Sequence, residues 1–345
     1  MGESNGSTSL RVALISEQRS NYLQLGYSEE DCAALTHDGE IQAVLSTLKN
    51  LGHQVTLVPG IESLVQQLAA GKHKCWDLAF NMAQGFHGPA RESQVPALLG
   101  AYQVPHTFAD AATMALCQNK ANTKMVLNHH NIPTAPFLVI PANEPADSLS
   151  KFTTSGLQYP LFVKPVTEGS SKGIDTFNKV KNPAELEPAV QQLKSKFPAE
   201  DVLVEPFLSG REFTKPSADF TNGIDGHPDL EFASRWSKSS RNKLILRDQD
   251  LTHPQVQAAC RVSLDAWKVF GCRDAGRVDI RFDSDEPDAV PNILEVNPIS
   301  GLLPDHSPLP ACAESNGISY AELLEAIIES ALGRCDSTFL TNGSS

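Results

Sequence analysis

One stretch near the C-terminal end, from Gly276 to Gly301, places acidic and amide side chains on two neighbouring predicted strands. Val278, Ile280 and Phe282 alternate with polar residues, and the run Asn292–Asn297 follows an acidic segment that contains proline. Alternation with a period of two is typical of a half-buried strand, and an acidic, proline-containing segment between two such runs favours a hairpin loop. The stretch therefore predicts a β-hairpin.

Strand alternation determines which polar side chains of this hairpin share a face. Arg277 and Asp279 fall on one face of the first strand, and Glu295 and Asn297 fall on one face of the second. Carboxylate and amide oxygens suit a hard cation such as Mg²⁺, which prefers carboxylates together with phosphate oxygens. Solvent-exposed hairpins show the same alternation, so the hypothesis of a metal site needs support from other segments.

Length, charge and cysteine usage exclude several classes of protein. A chain of 345 residues predicts two or three domains. The net charge of −13 argues against non-specific partners such as nucleic acid or anionic membranes. No apolar run approaches the roughly 20 residues of a membrane helix, and the N-terminal residues lack the apolar core of a signal peptide. Seven scattered cysteines without a CxxC pair indicate reduced thiols, so we expect a cytoplasmic protein.

Strands and helices alternate along the first hundred residues. The predicted strands are Leu10–Ile15, Gln54–Val58, Trp76–Asn81 and Val104–Thr107. The predicted helices are His37–Leu51, Ile61–Ala70 and Gln94–Ala101, while residues 17–31 are polar and irregular. This order predicts an α/β fold with an open parallel sheet.

The rest of the chain contains further periodic segments. Helical periodicity predicts helices at Ala111–Asn131, Pro183–Phe197, Pro254–Phe270 and Ser319–Leu332. Extended patterns predict strands at Phe137–Ile140, Leu161–Val163, Ile174–Val180 and Val202–Glu205, with another beginning at Glu212. The glycine-rich loop Glu168–Gly173 lies between two of these strands. Its backbone N–H groups and two hydroxyls suit phosphate oxygens, so we interpret it as a flap that closes over a ligand.

The same loop also matches a different motif. Gly169 to Gly173 has the G-x-S-x-G pattern of serine hydrolases, with His306 as a conceivable partner. That motif requires a helix directly after the serine turn, whereas the residues from Ile174 continue as a predicted strand. The hydrolase interpretation is therefore disfavoured. The chain also lacks the G-x-G-x-x-G and Walker patterns of common nucleotide sites.

Six segments follow one another in order: NKANTK (119–124), FVKPVTEGSSKGI (162–174), VLVEPFLSGREFT (202–214), GCRDAGRVDIRFD (271–283), ILEVNPISG (293–301) and NGISYAELLEAI (316–327). In this order they resemble the ATP-grasp superfamily and, within it, the D-alanine–D-alanine ligases. The resemblance runs from about Leu10 to Leu332. It implies an ATP-grasp fold with an α+β arrangement in the ATP-binding part, and a homodimer formed through the N-terminal domain.

The resemblance also implies a division into domains. An N-terminal α/β domain would cover residues 10–117, a central lid domain residues 118–210 and a C-terminal catalytic domain residues 211–333. Residues 1–9 and 334–345 would be flexible tails.

Each matching position takes a role that the resemblance implies. Contacts with ATP fall to Lys120, Lys164, Glu168, Gly169, Ser170, Ser171, Glu205, Pro206, Leu208 and Glu212. A further family lysine has no clean counterpart, and Lys238 is the nearest candidate for its contact with ATP. Asp279, Glu295 and Asn297 match the ligands of two Mg²⁺ ions, for which Mn²⁺ is a substitute. Arg277 and the backbone N–H of Gly301 match the groups that stabilise the oxyanion, and Ser170 closes over the reacting groups.

The implied activity is that of an ATP-dependent carboxylate–amine ligase with small-molecule substrates. Transfer of the γ-phosphate to a carboxylate gives an acyl phosphate, which an amine then attacks. Two alternatives stay open at this point. One is an ATP-grasp kinase or phosphotransferase, and the other is a nucleotide-binding protein without turnover.

The chain departs from the family where amino-acid substrates bind. The loop after the first strand lacks the family's glycines, and Asn81 to Gly85 replaces its His-Gly pair. The candidate substrate contacts are Glu17, Gln84, His306 and Ser307. We therefore expect a ligase that joins an amino acid, or another carboxylic acid, to an amino acid, with substrates that can differ from two D-alanines.

Overall fold

The computed structural model describes residues 9–145, 156–216, 222–224, 246–248, 252–304 and 306–341. The chain divides into two compact units. The first unit consists of Met1–Ala115, Gly271–Arg277 and Pro298–Ser345, and the second consists of Leu116–Phe270 and Val278–Asn297. Lys238 lies outside the described residues. The division into three domains stays a prediction.

The helices and strands of the described residues are numbered separately in chain order. The helices are α1 (Arg19–Gln24), α2 (Asp38–Asn50), α3 (Gly60–Ala69), α4 (Gln94–Ala101), α5 (Ala111–Gln118), α6 (Lys120–His129), α7 (Pro183–Lys196), α8 (Pro254–Val269), α9 (Pro308–Ser315) and α10 (Tyr320–Thr341). The strands are β1 (Arg11–Ser16), β2 (Gln54–Pro59), β3 (Leu78–Asn81), β4 (Leu138–Ile140), β5 (Leu161–Pro165), β6 (Lys179–Val180), β7 (Val202–Pro206), β8 (Glu212–Pro216), β9 (Asn222–Ile224), β10 (Leu246–Asp248), β11 (Arg277–Phe282) and β12 (Pro291–Asn297).

The first unit contains a parallel sheet with the strand order β2-β1-β3. Val12 on the central strand lies opposite Val55 on one side and Leu78 on the other. The central strand is buried from Val12 onward, which explains why its sequence is a continuous apolar run rather than an alternating one. The predicted open parallel sheet is confirmed.

Helices cover this sheet with apolar faces of helical period. Leu64 of α3 and Leu99 of α4 pack in one buried cluster with Ile15 and Val58 of the sheet. This packing fixes the carboxyl ends of β1 and β3 next to each other. In an open α/β sheet that edge is where ligands commonly bind.

The second unit contains two sheets. One has the order β4-β7-β5-β6 and is antiparallel in every pair, and the other has the order β10-β9-β8-β11-β12. Leu186, Val190 and Leu193 of α7 pack on the first of these sheets against Val163 and Val204. The predicted hairpin is confirmed as the neighbouring strands β11 and β12.

The single helix predicted over Ala111–Asn131 is wrong, because two helices occupy this range. Asn119 has an extended backbone, with φ −92° and ψ 103°, and separates α5 from α6. Its side chain accepts the N–H of Asn122 at 2.9 Å, which caps the second helix. The break makes Lys120 the first residue of α6.

The strand predicted over Ile174–Val180 is also wrong for most of its length. A 3-10 turn covers Thr176–Asn178, and only Lys179–Val180 forms a strand. The amide of Asn178 donates to Val163 O at 2.6 Å and to Gly173 O at 2.9 Å. These side-chain hydrogen bonds satisfy the backbone locally and favour a turn over a ladder.

Three smaller differences concern segments with weak periodicity. Helix α1 lies in the segment expected to be irregular, and α9 lies after a loop that gave no helical prediction. The strand expected at Val104–Thr107 is reduced to one parallel bridge between His106 and Ala79.

Candidate active site

Lys120 connects the flap to the predicted metal ligands. It is buried at the start of α6, and its backbone N–H donates to Val166 O at 3.1 Å. Its ammonium donates to the carbonyl oxygen of Glu168 at 2.6 Å and lies 3.5 Å from Glu295 Oε2. One cation therefore joins the first residue of the flap to a carboxylate of the hairpin.

Glu205 lies between two buried lysines. Lys164 on β5 approaches Glu205 Oε1 to 2.6 Å, and Lys124 on α6 approaches Oε2 to 2.7 Å. Lys124 is fully buried and also donates to Thr134 Oγ1 at 2.8 Å and to Ala135 O at 3.2 Å. Each carboxylate oxygen of Glu205 therefore has an ammonium partner.

The charges of these three groups control one another. Burial by itself would raise the pKa of Glu205, but the ammonium groups of Lys124 and Lys164 outweigh burial and lower that pKa to about 2. Burial lowers the pKa of Lys124, Glu205 opposes that change, and Lys164 adds to it. Glu205 therefore stays ionised at every pH at which the protein would function.

The three predicted metal ligands come together at the hairpin. Asp279 on β11 is buried, and its Oδ1 accepts a hydrogen bond from Thr214 Oγ1 at 3.0 Å. The amide nitrogen of Asn297 lies 3.3 Å from Asp279 Oδ2 and 3.4 Å from Glu295 Oε1. Two carboxylates and one amide oxygen form a hard donor set, which fits Mg²⁺ rather than a soft metal.

No cluster of three or more histidine, cysteine, aspartate or glutamate side chains suited to a metal occurs in the described part of the chain. The metal hypothesis therefore rests on the mixed set of Asp279, Glu295 and Asn297. Such a small set agrees with Mg²⁺, which usually keeps several waters and takes further oxygens from phosphate.

The flap has an unusual backbone. Ser170 and Ser171 have φ values of 52° and 58°, in the left-handed region that side chains other than glycine rarely adopt. Two turn hydrogen bonds hold this shape, from the N–H of Lys172 to Gly169 O at 2.9 Å and from the N–H of Ile174 to Ser171 O at 3.1 Å. Strained backbone of this kind is concentrated at functional loops.

The end of the flap packs closely against the neighbouring sheet and helix. A Cβ atom at Gly173, where φ is +78°, would lie 2.7 Å from the Phe197 ring and 2.9 Å from Pro165. Lys172 pairs with Glu168 at 3.3 Å, within the same loop. Glycine is therefore required at position 173 by both space and backbone conformation.

Residues 206–208, at the end of β7, lie beside a second ion pair, which joins Arg281 and Glu212. Arg281 Nη1 lies 3.1 Å from Glu212 Oε2, and Arg281 Nε donates to Gly210 O at 3.2 Å. The guanidinium also stacks over the Phe207 ring at 4.8 Å. The carboxylate of Glu212 is thus held in a fixed orientation beside residues 206–208, which include Pro206 and the buried Leu208.

Glu17 follows β1 in the first unit and is buried. Its Oε2 accepts the backbone N–H groups of Gln84 at 3.0 Å and of Gly85 at 3.3 Å, while Oε1 has no hydrogen-bond partner within the described residues. Burial raises the pKa of Glu17, and the two N–H bonds oppose this change. The edge of a parallel sheet thus holds a carboxylate with one unused oxygen.

Gly301 begins a closely packed turn in the first unit. A Cβ atom at this position would lie 2.8 Å from Ser307 Oγ, and that hydroxyl accepts the N–H of Leu303 at 3.0 Å. His306 is exposed, and Arg277 opens β11 as a half-buried residue. The Ser307 hydroxyl therefore supports the backbone next to Gly301.

Two residues of these networks were not among the predicted site residues. Lys124 follows Lys120 by four positions, so helical spacing alone places both on one face of α6. Arg281 shares a strand face with Asp279 by alternation. Spacing could therefore have indicated both, although it could not name their partners.

None of the helices in the described ranges is both long enough and apolar enough to cross a membrane.

Comparisons with known proteins show which family the chain resembles. A family model described as D-ala D-ala ligase C-terminus matches residues 126–329. The chain is 31% identical over 309 residues to a D-alanine–D-alanine ligase of Haemophilus ducreyi, covering 88% of this chain and 95% of that protein. It is 30% identical over 290 residues to D-alanine–D-alanine ligase B of Chromobacterium violaceum, covering 83% and 89% respectively.

A solved structure supports the fold. The D-alanine–D-alanine ligase of Bacillus anthracis, crystallised in complex with ATP, superposes with a TM-score of 0.73 at 20% identity, covering 96% of this chain and all of that one. The predicted ATP-grasp architecture is therefore confirmed. From the match to the family model and the identity to these relatives, we conclude that this chain belongs to the D-alanine–D-alanine ligase family, whose members are ATP-dependent ligases that form C–N bonds.

Proposed function

We propose that the protein joins the carboxylate of one substrate to the amine of an amino acid through an acyl phosphate made from ATP. The observation that carries the proposal is one connected group of side chains. Lys120 contacts both the Glu168 carbonyl and the Glu295 carboxylate, and Asn297 links Glu295 to Asp279. A cation, a flap and a carboxylate pair in contact are the parts that phosphoryl transfer requires.

The chemistry explains why an acyl phosphate is needed. A carboxylate repels an incoming nucleophile and has no good leaving group, and phosphorylation removes both obstacles. Lys120 and Lys164 would contact the phosphates, and the flap with Ser170 and Ser171 would close over them. Exclusion of water by the flap protects the acyl phosphate from hydrolysis.

Asp279, Glu295 and Asn297 would hold two Mg²⁺ ions, with Mn²⁺ as a substitute. Bound there, the ions would neutralise the charge that develops on the transferring phosphoryl group. The hydrogen bonds from Thr214 and from the Asn297 amide orient the carboxylates for this purpose.

Recognition of the adenine is assigned to the backbone of residues 206–208. The resemblance would also let the Glu205 carboxylate read the edge of the adenine, but its two oxygens contact the ammonium groups of Lys124 and Lys164. Glu205 therefore acts as a positioning residue that holds Lys164. Glu212, fixed by Arg281, would contact the ribose.

The resemblance also assigns roles toward the substrates. Arg277 and the Gly301 N–H would stabilise the oxyanion that forms when the amine attacks. Glu17, with one unused oxygen, is the candidate for binding a substrate ammonium group, and Gln84 fixes it through a backbone N–H. His306 and Ser307 remain candidate substrate contacts.

The test is ADP release from MgATP with L- and D-amino acids, supplied singly and in pairs, with mass analysis of the products. We expect ADP together with a condensed product lighter than its two substrates by one water. ADP with a phosphorylated single substrate would instead show a kinase. No ADP and no product with any pair would contradict the proposed ligase activity toward amino acids.

A variant at the hairpin checks the metal ligands. Glu295→Gln removes one anionic ligand while keeping the side-chain size, so metal-dependent ADP formation should be lost. A Glu295→Gln variant that still formed ADP at the wild-type rate would remove this residue from the ligand set. Glu329→Gln, on the exposed side of α10, serves as the matched control.

A further inference from the structure

The residue after Gly301 is held at both ends by side chains from distant parts of the first unit. The N–H of Leu302 donates to Glu40 Oε1 at 2.6 Å, across 262 residues of sequence. The carbonyl oxygen of Leu302 accepts from the Tyr320 hydroxyl at 2.8 Å. Glu40 belongs to α2 and Tyr320 begins α10, so two separate helices fix one loop residue.

A third contact fixes the next peptide. The N–H of Leu303 donates to Ser307 Oγ at 3.0 Å, and the N–H of Ser307 donates back to Leu303 O at 2.9 Å. Any side chain at Gly301 would meet the Ser307 hydroxyl at 2.8 Å. The backbone from Gly301 to Leu303 is therefore tightly constrained although it lies outside any helix or strand.

These hydrogen bonds form in a partly buried environment. Burial raises the pKa of Glu40, opposed by the bond from Leu302, and burial together with Glu40 raises the pKa of Tyr320. Hydrogen bonds are electrostatically stronger where the local dielectric constant is low. Leu302 itself is 1% exposed, so thermal motion of its peptide groups is restricted further.

A constraint of this kind matters most next to a glycine. Gly301 has no side chain to limit φ and ψ, so the peptide planes beside it are ordered only by what their neighbours bind. An oxyanion hole is effective only if its donors are oriented before charge develops. The hydrogen bonds of Leu302 and Leu303 anchor the chain on the C-terminal side of Gly301, and this anchor restricts how the Gly301 N–H can turn.

We propose that Glu40 and Tyr320 are positioning residues that orient the Gly301 N–H for the oxyanion of the amide-forming step. The inference rests on the proposed function. In that step the amine nitrogen forms a bond to the carbonyl carbon of the acyl phosphate, and the carbonyl oxygen takes up the electron pair. Collapse of this intermediate expels phosphate, and the nitrogen releases its proton to solvent.

The order of the two chemical steps provides a specific signature. ATP transfers its γ-phosphoryl group and becomes ADP before the oxyanion exists. A less ordered Gly301 N–H therefore slows amide formation without slowing ADP formation. The acyl phosphate that accumulates is then lost to water. The ratio of ADP formed to amide formed therefore rises above its wild-type value.

The test measures ADP and amide together in the full-length protein with an amino-acid pair that the wild type joins. Tyr320→Phe removes one hydroxyl, and Glu40→Leu removes the acceptor of the Leu302 N–H. For both we expect amide formation to fall about 10-fold, less than the roughly 100-fold or more that follows loss of an oxyanion donor itself. The KM for ATP should not change, and the ADP-to-amide ratio should rise.

Conservative and matched variants separate positioning from folding. Glu40→Gln keeps an acceptor oxygen, so it should restore most of the coupling that Glu40→Leu loses. Tyr102→Phe and Glu329→Leu change exposed positions and should keep the wild-type ratio. Melting temperatures of all variants show whether any has lost its fold.

Three outcomes would overturn the proposal. Amide and ADP formation falling in proportion, with an unchanged ratio, would show that Glu40 and Tyr320 serve only stability. If Tyr320→Phe and Glu40→Leu both kept the wild-type rate of amide formation and the wild-type ADP-to-amide ratio, the contacts would have no effect on the reaction. Absence of any amide with the wild type would overturn the proposed function, and the positioning role with it.

Discussion

At the scale of single residues, Lys124 holds together the ion-paired group that we propose lies beside the nucleotide. It is a fully buried cation with three acceptors, and it shares Glu205 with Lys164. A buried charge is tolerated only when it is paired and hydrogen-bonded, so each member depends on the others. Lys124 therefore belongs to the same ion-paired group as Glu205 and Lys164, although it was not among the predicted nucleotide contacts.

Lys124→Met tests this dependence. The variant keeps the side-chain volume but leaves Glu205 Oε2, Thr134 Oγ1 and the Ala135 carbonyl without their donor, so the free energy of unfolding should fall by roughly 3 kcal/mol. Urea denaturation measures the change. Lys49→Met at an exposed helix position should stay within about 0.5 kcal/mol of the wild type. An equally small change at Lys124 would contradict the importance of the pair.

Glu205→Gln distinguishes positioning from base recognition. If Glu205 only holds Lys164, the KM values for ATP and for inosine triphosphate should rise by a similar factor of about ten, about 1.4 kcal/mol. If the carboxylate instead reads the adenine amino group, the preference for ATP over inosine triphosphate should collapse. Steady-state measurements with both nucleotides decide between these outcomes.

The contribution of Glu17 to the stability of the protein should change with pH in the opposite direction to the contribution of Glu205. Burial raises the folded-state pKa of Glu17 above its ordinary value of 4.5. Its favourable contribution is therefore complete below that value and is lost as the pH rises through the folded-state pKa. The stability of the wild type should fall relative to Glu17→Gln as the pH increases above about 4.5, measured by urea denaturation at several pH values. A difference independent of pH would contradict the raised pKa.

At the scale of elements, the two glycines of the flap differ in how closely they are packed. Gly173 combines a positive φ with close approach to Phe197 and Pro165, whereas a Cβ atom at Gly169 would meet nothing within 4 Å. The flap thus contains one glycine that space requires and one that it does not. This contrast supplies a matched pair of variants.

Gly173→Ala should lower the free energy of unfolding by roughly 1 to 3 kcal/mol, because the added methyl group collides with the ring and forces an unfavourable backbone. Gly169→Ala should change the same quantity by no more than about 0.5 kcal/mol. Chemical denaturation of both variants measures the difference. Equal effects would show that the flap adjusts freely at either end.

Elements with a clear period were predictable from sequence, and elements set by single side chains were not. Apolar alternation indicated the hairpin, and helical spacing gave α2 and α7 to within a few residues. The break at Asn119 and the turn at Asn178 depend on one side chain hydrogen-bonding to backbone groups. A side chain that hydrogen-bonds to the backbone competes with a helix or strand without changing the spacing of the apolar residues. The apolar spacing therefore predicted an uninterrupted helix through Asn119 and an uninterrupted strand through Asn178.

At the scale of the whole molecule, alternation of strands and helices was enough to predict the parallel sheet, and six segments in order were enough to indicate the family. Contacts between distant residues were not predictable. Neither the bond from Leu302 to Glu40 nor the pairing of Lys124 with Glu205 leaves a local trace in the sequence. The homodimer through the N-terminal part also stays a prediction, which sedimentation analysis can check.

Ligand binding should stabilise the whole chain. At 100 times its dissociation constant, MgATP is expected to add about 2.7 kcal/mol to the free energy of unfolding. Chelation of the metal, or Glu295→Gln, should remove the metal-dependent part of this gain, since the carboxylates then have no cation to bring the phosphates close. An equal gain with and without metal would contradict the assignment of Asp279, Glu295 and Asn297.

Because the first unit consists of segments that are far apart in the sequence, its folding during translation is delayed. Its three segments are Met1–Ala115, Gly271–Arg277 and Pro298–Ser345, and the two segments of the second unit lie between them in the sequence. Glu40 therefore leaves the ribosome long before Leu302, and the 262 residues between them take roughly 13 to 50 s to translate. The second unit is complete once Asn297 has been translated, whereas the first unit still lacks Pro298–Ser345 at that point. On a nascent chain the second unit should therefore become resistant to protease before the first.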